Sequence, residues 1–176
     1  MRWAGVGAAI IAAADDAYYL GVVNTQGGSN PQFLRVPFVA AYIALMAICA
    51  ALSTRASAAR WRPLLLGVSA AGLLLLGYFG IFSIGLPLLV AGVLASLGFI
   101  NALGQARLPG ETSGKATASM AAGGAALAVV VLLAGISLTE LTLRCPANGI
   151  ESGSGSVLLG GPYQYSCDNG KLTISR

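Results

Sequence analysis

Two adjacent acids, Asp15 and Asp16, stand inside the first long apolar run of this 176-residue chain. A charged side chain at the centre of a bilayer costs about 3 kcal/mol on insertion scales, so acids are kept there mainly where they hold a proton or a cation. Tyr18 and Tyr19 lie three and four residues beyond Asp15. On a helix they share its face and can donate hydrogen bonds to it. Neighbouring helix positions differ by about 100°, so the two acids point in different directions. Arg35 is the obvious cationic partner. The pair lies twelve residues past Trp3, or about 18 Å of helix rise, somewhat beyond the midplane of a span. The alternative is a helix that ends early, leaving the acids near headgroups and the tyrosines as interfacial aromatics.

Little else in the sequence has the residue types for chemistry. There is no histidine, which removes the commonest metal ligand and general base. The three cysteines, Cys49, Cys145 and Cys167, form no C-x-x-C pair. Cys49 sits within an apolar run and reads as a small core filler. The stretch from Gly110 to Lys115 has the look of a phosphate loop, but its spacing is one residue short and Ala116 follows the lysine. No pair of acids in the loops suggests hydrolysis. Asn101, near the end of a span, reads as an interhelical hydrogen-bonding residue. The chain calls for no cofactor and no metal, and it reads as non-catalytic.

The elements that position these residues are membrane helices. The chain is 56% hydrophobic and 9% charged, with mean hydropathy +0.79. A soluble domain carries about 25% charged residues. Runs of about 20 apolar residues, the length that crosses ~30 Å of hydrocarbon, predict five spans at about 3–23, 36–54, 64–82, 86–104 and 119–139. The third and fourth must form a hairpin, with Gly85 and Pro87 as breakers, because one helix over both would be about 60 Å long. Small residues at four-residue spacing, such as Gly5 with Ala9 and Gly124 with Ala128, predict a close-packed bundle.

Charge gives an orientation. Arg2, Arg55, Arg60, Arg62, Arg107 and Lys115 fall on one side and Arg35 and Arg144 on the other, six against two. Positive residues mark the cytoplasmic side. The N-terminus is therefore expected inside and the C-terminal tail outside. Arg2, a short apolar stretch and Ala12 to Ala14 also resemble a signal peptide; the expectation is a retained span. The basic run around Trp61 could touch anionic lipid, but more economically it is the orientation signal itself.

The tail, residues 140–176, differs in kind. Segments 156–159, 163–167 and 171–175 read as short strands, with 151–156 as a flexible glycine–serine linker. Asn169-Gly170 is a hairpin turn signal. Tyr163, Tyr165 and Cys167 share one face by period two. A unit this small needs a staple, and a Cys145–Cys167 disulfide outside the membrane would supply about 3 kcal/mol.

The expected fold is an all-α polytopic membrane helix bundle of five spans (1–139) with a small disulfide-stapled β appendage (140–176). Its expected place is a bacterial inner membrane. The leading expectation is a non-catalytic accessory or assembly subunit. It would dock on a protein partner, or a second copy of itself, through small-residue helix faces and the tail, with Tyr163 and Tyr165 as contacts. The alternative is a small proton- or cation-coupled transporter or channel using Asp15 and Asp16. Membrane lipids are expected partners and nucleic acid is not.

Overall fold

The structure, a computed structural model, describes residues 3–26, 34–81, 85–105, 114–142, 145, 148–157 and 161–175. Among them are five helices: α1 (Trp3–Gln26), α2 (Arg35–Leu52), α3 (Arg62–Phe79), α4 (Gly85–Gln105) and α5 (Gly114–Leu141). All five are long and apolar enough to cross a membrane. A short 3-10 helix, Ala56–Trp61, joins α2 to α3. The chain closes on a three-stranded antiparallel sheet, β1 (Ile150–Val157), β2 (Gly161–Asp168) and β3 (Lys171–Ser175), in that spatial order. The hairpin residues 82–84, the cations Arg2, Arg107 and Arg144, the loop 106–113 and residues 158–160 lie outside the described residues.

α3 is the centre of the bundle, packed between α4 and α5 and touching α2. Half of its apolar window is buried, against 17% for α1 and for α5. The reason is its glycines. A Cβ on Gly72 would clash with the Met46 Sδ and lie 2.8 Å from the Tyr42 hydroxyl. A Cβ on Gly77 would lie 2.8 Å from the backbone nitrogen of Leu89 on α4. α5 returns the arrangement at Gly135, whose missing side chain is the seat of the Phe38 ring. Between apolar helices, such close approach supplies the dispersion contacts that hold them together. The hairpin between α3 and α4 closes on a 2.7 Å hydrogen bond, the Gly85 N–H donating to the Gly80 carbonyl.

Two buried clusters form the interior. Near the start of α1, Ala8, Ala50, Ala70 and Ala95 meet from four helices, all 6% exposed or less. Farther along, Ala12, Tyr42, Met46, Leu73, Leu76, Leu88 and Leu132 form the larger core. The outward stripe Leu86, Val90, Val93, Leu97 and Ile100 on α4 is half or more exposed. At the far end of α2 the Arg62 guanidinium Nε donates to the Ser53 carbonyl at 2.9 Å, filling a helix-end acceptor.

Two sequence expectations need correction. The linker 151–156 is a strand: β1 pairs with β2 from Ile150↔Asp168 to Val157↔Gly161. Its glycines and serines alternate, so Gly153 and Gly155 oppose Tyr165 and Tyr163 while the serines face away. The Tyr165 ring occupies the space above Gly153. The aromatic ring replaces the missing side chain, and composition alone hides this. Second, α5 begins at Gly114, five residues ahead of the predicted 119.

Cys145 and Cys167 form the disulfide, with a Cα–Cα distance of 5.4 Å. Cys167 and Tyr163 are buried on one face of β2, and the Tyr163 and Tyr165 rings lie 6.4 Å apart. The Asn169-Gly170 turn joins β2 to β3, both residues at positive φ (44° and 82°) as a two-residue hairpin demands.

Candidate functional site

α1 turns one stripe to the core: Ala8, Ala12 and Asp15 are buried and Tyr19 is half-buried, each three or four residues from the next. Asp15 is thus a core-facing residue, 6% exposed. It is the thirteenth of the 24 residues of α1. The helix continues eleven residues past it, about 16 Å, so α1 does not end at the acids. Asp16, about 100° round the helix, is half-buried, and Tyr18 is largely exposed. The two acids do diverge.

Asp15 Oδ2 and Asp16 Oδ1 are buried and have no hydrogen-bond partner among the described residues. A buried polar atom without a partner costs about 1–3 kcal/mol, and more if charged. The Ser69 hydroxyl oxygen is buried in the same way, but only the carboxylates can also take a proton or an ion.

One turn beyond Asp15 the bundle opens into a cleft of about 510 Å³. Tyr18 and Tyr19 form its α1 wall, Arg35 and Val39 its α2 wall. Leu76 and Phe79 of α3 and Ile136 of α5 complete it. Neither acid lines the cleft: the lining residue nearest Asp15 along α1 is Tyr18, three residues on, and Leu76 links the cleft floor to the packed cluster that includes Ala12. Tyr18, Tyr19 and Arg35 line the same cleft, which brings the expected cation and both tyrosines into one neighbourhood. No group of three or more metal-binding side chains exists among the described residues.

Other residues picked out by sequence lie elsewhere. Tyr163 is buried and Tyr165 half-buried; the exposed large apolar side chains of the sheet, among the described residues, are Ile150 on β1 and Leu172 and Ile174 on β3. Asn101 is exposed and its Nδ2 donates to the Leu97 carbonyl of its own helix at 2.8 Å, which replaces the expected interhelical bond. Cys49 is a half-buried free thiol on α2. Tyr42 was not singled out by sequence. It is 3% exposed, and its hydroxyl donates to the Ala128 carbonyl at 2.9 Å, tying α2 to α5. A tyrosine amid apolar residues mid-span was the available signal.

Compared with protein families, with curated proteins and with solved structures, the chain matches none.

Proposed function

We propose that this chain is an integral membrane protein whose helix bundle carries a proton or cation site at Asp15, with Asp16, Tyr19 and Arg35 around it. The observation that carries this reading is the buried, unpartnered Asp15 carboxylate oxygen on the core face of a 24-residue apolar helix. The orientation follows the positive charges, N-terminus in the cytoplasm, and the disulfide supports a tail in an oxidising compartment. A bacterial inner membrane provides such a pair of compartments.

The test is flux in proteoliposomes under an imposed pH or cation gradient. Asp15→Asn should abolish flux while the protein stays folded and monodisperse; Asp16→Asn should weaken it. Unchanged flux in both variants and in the double variant removes the reading.

A second reading has its own support. α1 exposes Ala13, Ala17 and Gly21, and β3 is exposed along its whole length at the sheet edge. Small-residue faces and open strand edges are docking features. In this reading the chain is an accessory or assembly subunit. Gentle extraction and native mass spectrometry test it: a stoichiometric second polypeptide supports it, and a lone chain removes it.

A further inference from the structure

The two ends of the bundle give Asp15 unequal surroundings. Toward the sheet-bearing end, one turn separates Asp15 from Tyr19 on the cleft wall, about 6 Å of rise. Toward the other end, Ala12 and then Ala8 continue the same stripe into packed cores. There Ala8, Ala50, Ala70 and Ala95 meet with almost no exposure. A Cβ on Gly5 would lie 2.9 Å from the Ser53 Oγ and 3.2 Å from the Ala50 carbonyl. Such close packing leaves little room for water. The cleft, at about 510 Å³, holds many waters.

We infer that the cleft is a one-sided access route: a proton reaches Asp15 from the sheet-bearing side, and the alanine cluster seals the opposite side. This rests on the proton-site reading of Asp15. The charged and titratable groups on the surrounding elements fit a proton. On α1 they are Asp16, Tyr18 and Tyr19; on α2, Arg35, Tyr42 and Cys49; on α3, Tyr78 and, at the opposite end against the Ser53 carbonyl, Arg62. The described side chains of α4 and α5 add none. Among the described side chains at this end, two carboxylates and one guanidinium leave one negative charge, which a single proton neutralises. Water in the cleft delivers that proton, and its transfer to a carboxylate oxygen breaks one O–H bond and forms another. Among the side chains lining the cleft a metal cation would instead meet only the phenol oxygens of Tyr18 and Tyr19 and no carboxylate.

Single-cysteine accessibility tests the route, in full-length Cys49→Ala protein with its disulfide intact. Tyr19→Cys and Val39→Cys probe the cleft, Asp15→Cys its depth, and Ala8→Cys and Ala50→Cys the sealed end. A charged, membrane-impermeant methanethiosulfonate is added to one side of sealed vesicles at a time. Expected is labelling at 19, 39 and 15 from the sheet side, at least about tenfold faster than at 8 and 50, and none at 15 from the opposite side. Reaction at 15 from the opposite side, or none at 15 from the sheet side while 19 reacts, overturns the proposal.

Asp15→Cys removes the carboxylate, so a second measurement keeps it. Dicyclohexylcarbodiimide adds to a protonated carboxyl to give an N-acylurea, retaining all reagent atoms, and mass spectrometry locates it on α1. Val39→Trp fills the cleft and should slow this modification about tenfold, whereas Ile48→Trp on the exposed face of α2 should not. Equal rates in both overturn the route. Two-sided labelling with flux lost in Asp15→Asn keeps the proton site and sinks the sidedness. One-sided labelling with flux unchanged does the reverse.

Discussion

At one end of the bundle four alanines meet from four helices; at the other, two tyrosines, an arginine and a phenylalanine ring an open cleft. The difference is one of side-chain size. Alanines let backbones approach until no space remains, which suits a seal. Large side chains stop helices farther apart and leave gaps that a polar group can use. Asp15 stands where one regime gives way to the other, between Ala12 and Tyr19. The sheet repeats the contrast on a smaller scale, where Tyr165 fills the space that Gly153 leaves.

The contrast can be broken most severely at Gly135. Gly135→Leu would drive a side chain into the Phe38 ring and should cost about 3 kcal/mol or more, read as loss of monodisperse protein on heating in detergent. Next comes the staple. Cys167→Ser should remove about 3 kcal/mol from the sheet alone. Hydrogen exchange should then rise across β1, β2 and β3 while the helices keep their protection; a lower melting point of the bundle would contradict this. Asp15→Asn sharpens the comparison in the opposite direction. Relieving a buried, unpartnered carboxylate should raise stability by about 1–2 kcal/mol as it abolishes flux. A fall in stability would mean that the carboxylate is structural. The smallest effect is expected at Tyr42→Phe, about 1 kcal/mol for the lost hydrogen bond to Ala128, measured by chemical unfolding.

Much of this architecture is legible from residue type. Five apolar runs became five helices because length and hydropathy suffice to define them. The disulfide and the Asn169-Gly170 hairpin were equally visible, since both rest on local or pairwise chemistry. The misses have a common cause. β1 carries almost no β-forming residues, and it is a strand because β2 pairs along it and supplies the aromatic ring that covers Gly153. Asn101 bonds within its helix because its position faces outward, which the sequence pattern left open. The cleft depends on where four helices diverge, and no single segment encodes that. Asp15 and Asp16 stood out as a pair; only packing distinguishes the buried acid from its half-buried neighbour.

The alternation of β1 has one more consequence. Ser152-Gly153-Ser154-Gly155-Ser156 looks the same after a slip of two residues, so its own side chains cannot choose among registers. The disulfide can. Cys145 lies five residues ahead of Ile150, and its partner Cys167 lies opposite Glu151. The covalent bond measures out a fixed length of chain and thereby counts β1 into place, so it sets alignment as well as strength. In the reduced chain the same strand would have several equivalent ways to lie down.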